Sequence, residues 1–307
     1  MKTQWETLDY YRRHRDVVIC DLASGLKSGS LCLMIGSGVS KKLNLPLWYE
    51  LVAYCCQRAP TPVDASDINS DTSGDELLLR MQTVRNTFSG NDVEYLKVVS
   101  SALYQNWANP SIATAPELMR AIGVLAMGSA RGRIKTLVNF NFDSLLEWYL
   151  TFHGYVVQVI ENVPRGLFDS DVQIFHPHGY LPFDDSLGRR SRMILFDKKE
   201  MEDRIADRND SWTDVFRYIL GSQVFLAVGL SGKDPMVNLM IAAADRQRLP
   251  GDSRPIGFWF LKKGSLDSDH MNNLQGKGVV LVETSSHDEI ANMLFQIGRK
   301  AAGTVIV

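Results

Sequence analysis

The sequence predicts an α/β protein built on a doubly wound, mostly parallel sheet. Three observations predict it. Seven short runs of apolar, β-branched and aromatic residues recur along the chain, several without polar alternation, as strands buried on both faces show. Helical periodicity separates several of these runs. Glycine-rich or polar turns follow the runs directly, at the strand ends where doubly wound folds place their ligands.

The first element is an expected amphipathic helix over 5–27, with Leu8, Val17, Val18, Leu22 and Leu26 on one face and Gly25 or Gly29 as its stop. A buried strand over 31–35 breaks into Gly36-Ser37-Gly38-Val39-Ser40. Two glycines there allow φ > 0 and close approach of backbone to a ligand, so bare N–H groups could face a phosphate. Taken alone this is also what an ordinary connection looks like.

After Pro46 a helix is expected to about 57, then a Pro-, Asp-, Ser- and Asn-rich surface loop over 61–74, then helices near 75–88, 92–107 and 115–127. No strand signal lies between 48 and 133. The expected organisation is therefore one domain over 1–307, with a sheet core of about 1–47 and 131–307 and an inserted helical subdomain of about 48–130. Strands are expected at 134–138, 156–160, 172–175, 223–228, 256–261 and 278–282, and helices at 143–152, 198–220, 235–246 and 286–299.

With 307 residues, 45% of them hydrophobic, the chain can bury a large core. A formal charge of −2 gives no global attraction to nucleic acid or anionic membrane. The basic clusters Arg12-Arg13-His14-Arg15 and Arg189-Arg190-Ser191-Arg192 lack the interleaved aromatics of a stacking platform and read as solvated surface, so no direct nucleic-acid site is expected. Cys20, Cys32, Cys55 and Cys56 include no Cys-x-x-Cys pair, hence no disulfide framework and no zinc knuckle. The first ten residues lack a signal-peptide pattern, and no apolar run reaches membrane-spanning length; a cytoplasmic protein without a membrane segment is the expectation.

Four strand ends then carry unusual chemistry. The 31–35 strand opens into the glycine loop. The 134–138 strand runs into Asn139-Phe140-Asn141-Phe142-Asp143. The 172–175 strand runs into His176-Pro177-His178-Gly179. The 223–228 strand runs into Gly229-Leu230-Ser231-Gly232-Lys233-Asp234-Pro235, with Asp234 as cap and Pro235 in the first helical turn. Each has a plainer reading: Asp143 as a helix cap, Asn141 as a turn former, His178 as a turn residue, 229–234 as a simple strand-to-helix turn. All four at successive strand ends of one doubly wound sheet point instead to a common crevice.

At these residues the chain resembles the sirtuin family, and more closely the sirtuin-like domains of bacterial anti-phage defence systems. The family order is Gly-Ala-Gly-x-Ser followed by Gly-Ile/Leu-Pro, then Thr-x-Asn-x-Asp, His-Gly and Gly-x-Ser. Here it is met by Gly36-Ser37-Gly38-Val39-Ser40, Asn44-Leu45-Pro46, Asn139-Phe140-Asn141-Phe142-Asp143, His178-Gly179 and Gly229-Leu230-Ser231. Asn139 and Asn44 depart from the pattern, and both still suit turns. The paired Cys-x-x-Cys zinc module of protein-deacylating sirtuins is missing, with helical sequence in its place. The resemblance thus implies a Rossmann-like sheet with an inserted helical subdomain and no zinc module, and disfavours a zinc-free deacylase.

NAD as substrate, with no metal, follows from the resemblance. So do cofactor-binding roles for Gly36, Ser37, Gly38, Val39, Ser40, Gly229, Ser231 and Asp234. By the same carry-over Asn141 would orient the nicotinamide ribose and an attacking water, Asp143 would face the carboxamide side, and His178 would be general base on a ribose hydroxyl. His176, two residues away on an extended segment, would face the same side as a rival. The implied activity is NAD glycohydrolysis by a toxic effector of abortive infection. Since free NAD destruction would kill the host, a switch is implied: self-assembly into a homo-oligomer, a small ligand, or a separate sensor such as an Argonaute-like protein, a HerA-type ATPase or a nucleoside-triphosphate pyrophosphatase-like subunit.

Rival readings differ in chemistry. A dehydrogenase fingerprint would need a third glycine where Lys41 stands, and a P-loop spacing is missing. A non-cleaving sensor of NAD or ADP-ribose would not need a base at His178. An ADP-ribosyltransferase could use the same oxocarbenium-like state with another nucleophile.

Overall fold

A computed structural model describes residues 4–107, 115–128, 132–162, 169–207, 210–232, 234–249 and 251–303. Seven strands form one sheet in the order β3-β4-β2-β1-β5-β6-β7, every neighbouring pair parallel. They are β1 (Leu31–Ile35), β2 (Thr136–Asn139), β3 (Val157–Ile160), β4 (Val172–Phe175), β5 (Val224–Val228), β6 (Gly257–Lys262) and β7 (Val279–Thr284). The chain enters at the central β1, passes through β2 to the edge strand β3, sets β4 between those two, and returns to build β5 to β7 on the other side. The switch point therefore lies at the carboxyl ends of β1, β2 and β5, where such sheets open a crevice.

Period-two alternation sorts the strand residues into two apolar layers. Leu31, Leu33 and Ile35 of β1 join Leu226 and Val228 of β5 under one layer of helices, whereas Cys32, Met34, Phe225 and Ala227 face the other. Both faces being covered explains the unbroken apolar strands. The first face carries α1 (Gln4–Arg13), α2 (Arg15–Ser28), α6 (Glu117–Ala126), α7 (Leu145–Phe152) and α12 (His287–Ala302). The second carries α8 (Lys198–Ala206), α9 (Ser211–Ser222), α10 (Pro235–Asp245) and α11 (Ser268–Gly276).

Between β1 and β2 run α3 (Trp48–Arg58), α4 (Gly74–Asn86) and α5 (Asp92–Tyr104), followed by α6. The first three pack on one another, with α4 touching α8, while α6 turns back onto α12 and α7.

Two expected long helices are each split. Helix 5–27 breaks at His14, whose φ of −126° and ψ of 79° leave the helical region while its ring bonds the Tyr10 carbonyl (2.8 Å). Helix 198–220 ends at Ala206, and a new one starts where the Asp210 carboxylate accepts from Thr213 N (3.2 Å), a cap legible as Asp-Ser in the sequence. The helix α11 lacks a strong sequence signal because Leu274 is its one fully buried side chain.

Candidate functional site

The end of β2 is shaped by side chains standing in for regular structure. Phe140 N still donates to the Ile35 carbonyl (3.0 Å), extending the ladder by one bond. Asn139 Oδ1 then accepts from Asn141 N (3.0 Å), so the asparagine side chain closes the turn after β2. Asp143 accepts twice: Oδ1 from Leu145 N (3.1 Å) and Oδ2 from the Ser40 hydroxyl (3.0 Å). Burial outweighs these bonds and pushes the Asp143 carboxyl up to about 6. The cap of α7 is Ser144 rather than the expected Asp143, which instead bonds the first helical amide from one residue earlier and lines the cleft.

At the end of β4 the two histidines part company. Residues 177–178 form a turn rather than an extended segment, closed by Gly179 N on the His176 carbonyl (3.0 Å). The expectation that both rings face one side is therefore corrected. His176 is fully buried, with Nδ1 3.0 Å from the Asn141 carbonyl oxygen and Nε2 2.7 Å from Glu147 Oε1. His178 lines the cleft, and its Nε2 has no hydrogen-bond partner, lying 3.5 Å from Asp234 Oδ2. Burial drives the His178 ring below the ordinary histidine range; the Asp234 charge opposes this, Arg204 adds to it, and a bond to the Phe140 main chain opposes it. The ring is accordingly neutral at physiological pH.

The glycine loop departs from its sequence expectation. A 3₁₀ turn over Ser37–Val39 follows Gly36. Four of the five amides over 36–40 are committed: Gly36 N donates to the Val228 carbonyl (3.2 Å), Gly38 N to Gly229 (3.0 Å), Val39 N to Gly36 (3.0 Å) and Ser40 N to Ser37 (3.1 Å). The row of bare amides expected over 36–39 is thus corrected in part: those of Gly36, Gly38 and Val39 are bonded within the protein. The loop's glycines serve loop-on-loop packing, because a Cβ on Gly36 would stand 2.7 Å from the Gly229 carbonyl oxygen and one on Gly38 2.9 Å from Gly229 Cα. Gly229 itself has φ +70° and meets Val39 N just as closely. The Ser40 hydroxyl is likewise taken up by Asp143 rather than held out for a ligand.

These strand ends converge on one cleft of about 740 Å³, counted out to open solvent. Gly36, Ser37, Ser40, Asn141, Asp143 and His178 line it, with Gly229, Ser231 and Asp234 from the end of β5. Asp234 also caps α10 through Met236 N (2.9 Å). Of the eleven residues singled out from sequence, Gly38 and Val39 alone are outside the lining, lying beneath it in the packed turn. Lys233 lies outside the described residues.

Sequence reasoning missed the opposite wall. Trp48 and Leu51 of α3, Leu78 of α4, Leu103 of α5 and Leu195, Phe196 and Met201 beside and on α8 close the cleft with apolar surface. Nothing in the sequence distinguishes such residues from ordinary core positions on a helix face. The wall is anchored where Asp197, buried at the start of α8, accepts from Arg85 of α4 (2.6 Å), and where Arg204 donates to the Pro177 carbonyl (2.6 Å) beside His178. Among the described residues, no group of three or more His, Cys, Asp or Glu side chains is arranged to hold a metal ion, and no helix is long and apolar enough to cross a membrane.

Residues 135–282 match the family model described as "SIR2-like domain". That span runs from β2 into β7 and holds Asn141, Asp143, His178, Ser231 and Asp234; the loop at 36–40 and α3 to α6 precede it. Solved structures similar to the chain include a Sir2 homologue in complex with NAD (14% identity over 93% of this chain and 94% of that one, TM-score 0.47). Another is a structure described as the structural basis for the mechanism and regulation of Sir2 enzymes (11% identity, 92% and 98%, TM-score 0.47). No curated protein matches the chain.

Proposed function

We propose that this chain, which carries a SIR2-like domain, is an NAD glycohydrolase that cleaves NAD to nicotinamide and ADP-ribose. One observation carries the reading: a buried, neutral imidazole with an unpartnered Nε2 opens into the same cleft as the Asn141 side chain. A histidine that merely formed a turn would have no reason to leave that atom unsatisfied.

The residues present suit the ribosyl-nicotinamide half of NAD. Hydroxyl, amide, imidazole and carboxyl groups of Ser37, Asn141, His178, Asp143 and Asp234 gather at one end, and the apolar wall from Trp48 to Met201 suits flat rings and excludes water. The diphosphate would lie over the loops at 36–40 and 229–231, meeting the Ser37 and Ser231 side chains. In the reaction the N-glycosidic bond breaks with its electron pair going to the departing nicotinamide, water supplies the new C–O bond, and one proton is released. Asn141 positions the ribose and the water. His178 Nε2 accepts from a ribose hydroxyl and so stabilises the positive charge that grows on the sugar. Asp143, held by Ser40 and Leu145 N, presents its carboxyl to the carboxamide side.

We further read the chain as the NAD-consuming effector of a bacterial anti-phage system, cytoplasmic, assembling with itself and silent until a separate sensor or assembly activates it. An unrestrained NADase would destroy its host, which is the physical support for a switch. The test is free nicotinamide released from NAD, measured on the chain alone across the concentrations over which it assembles and together with partner subunits. Full activity as a lone monomer would contradict the switch, and NAD binding without nicotinamide release would make the chain a sensor instead.

A further inference from the structure

We propose that Glu147 and His176 act as a positioning pair which fixes the Asn141 main chain, and through it aims the Asn141 side chain into the cleft. The proposal rests on the reading of Asn141 as a group that meets substrate.

Asn141 lies in no helix or strand, yet both of its main-chain polar groups are held. Its N–H donates to Asn139 Oδ1 (3.0 Å), and its carbonyl accepts from His176 Nδ1 (3.0 Å). A carbonyl can only accept, so the proton on this imidazole sits at Nδ1. Nε2 faces Glu147 Oε1 at 2.7 Å, so this second bond needs a further proton shared between the ring and the carboxyl group, and it sets the rotation of the ring. Tyr180 packs against the ring with centroids 4.7 Å apart. The histidine thus has no freedom to turn toward the cleft, where its neighbour His178 stands.

Glu147 is placed for this task by its helix. It stands in the first turn of α7, the helix that begins two residues after Asp143, so the segment that presents Asp143 to the cleft leads directly into Glu147. Its side chain is fully buried, and its second oxygen, Oε2, has no hydrogen-bond partner. An apolar side chain would fill this space without that cost, so plain packing does not account for a carboxyl group here. Fixing the ring that fixes Asn141 does. The expected rival of His178 therefore belongs to the same site by another route, acting on the residue that orients the ribose.

The test is a double-mutant cycle. Glu147→Met fills the same volume without a hydrogen-bonding group, and is expected to lower kcat for nicotinamide release about 10²-fold with KM for NAD little changed, the loss expected from a misaimed group. Glu147→Gln, which keeps a hydrogen-bonding group in place, is expected to recover most of that rate. In an Asn141→Ala background, Glu147→Met should have a further effect within about twofold. A full second loss in that background, or a Gln variant as poor as the Met variant, overturns the proposal. A readout that needs no activity separates this from failure of the NADase reading: amide exchange at Asn141 should rise in Glu147→Met and not in Glu147→Gln. Unchanged exchange in both overturns the positioning pair even if the enzyme cleaves NAD. Absent cleavage with raised exchange in the Met variant alone overturns the NADase reading and leaves the pair standing.

Discussion

The two sides of the crevice are built on opposite principles. At the ends of β1 and β5, the amides of Gly36, Gly38, Val39 and Ser40 are bonded to main-chain carbonyls, and the loops at 36–40 and 229–232 pack glycine against glycine. At the ends of β2 and β4, side chains take over from the main chain, and a buried imidazole nitrogen is left facing the cleft. The first side is held by main-chain bonds and close glycine packing, whereas the second carries a buried imidazole nitrogen without a hydrogen-bond partner. The comparison teaches that a glycine loop after a strand marks where a crevice opens, while the buried polar side chains that line it follow the neighbouring strands.

That contrast is sharpest in single substitutions. His178→Ala and Asn141→Ala should each lower nicotinamide release by about 10²–10⁴-fold while leaving the melting temperature close to that of the parent. A large fall in melting temperature in either would erase the distinction between the two sides.

On the other side the expected loss is stability. Gly229→Ala places a Cβ 2.9 Å from Val39 N at φ +70°, and Gly36→Ala places one 2.7 Å from the Gly229 carbonyl oxygen. Both should cost about 1–3 kcal/mol in denaturant unfolding. Variants as stable as the parent would show that the loops do not depend on this close approach.

Asp143 bridges the two sides, and its prediction is a matter of pH. Its carboxyl is raised by burial from 3.8 to about 6, so between those values the folded protein binds more protons than the unfolded chain, and stability falls as pH rises through that window. The gap corresponds to at most about 3 kcal/mol. Asp143→Asn should therefore raise the melting temperature above pH 6 and have little benefit near pH 4, with activity reduced. His178 works in the reverse direction: its lowered value means stability is lost as pH falls below the ordinary histidine range. Calorimetry across pH 4–8 checks both signs.

The smallest effect is expected just outside the glycine loop. Lys42 pairs with Asp288 across an exposed surface, and Lys42→Ala should leave both melting temperature and nicotinamide release unchanged. A clear loss of activity would enlist Lys42 in ligand binding and blur the division.

Much of this architecture is legible in the sequence because buried parallel strands write themselves as unbroken apolar runs. Leu31-Cys32-Leu33-Met34-Ile35 and Val172-Gln173-Ile174-Phe175 fall within the strands as observed. Asn141, Asp143, His178, Ser231 and Asp234 were traceable because polar residues directly after such runs must project at the crevice. Three things were not legible. The commitment of the loop amides depends on the register between β1 and β5, which no local pattern encodes. The separation of His176 from His178 depends on a turn at Pro177 that swings one ring under the site. The apolar wall of Trp48, Leu78 and Met201 comes from helices whose core-facing and cleft-facing residues have the same chemistry.

The central claim is that the β2 and β4 side of the crevice cleaves NAD. Its most direct test is the product balance from NAD in the presence of the wild-type chain, under the assembly or partner condition that gives turnover, beside His178→Ala under the same condition. The account predicts nicotinamide and ADP-ribose released in equal amounts by the wild type and a loss of about 10²–10⁴-fold in the variant. NAD bound but never cleaved under any condition, or cleaved equally well by His178→Ala, would contradict it.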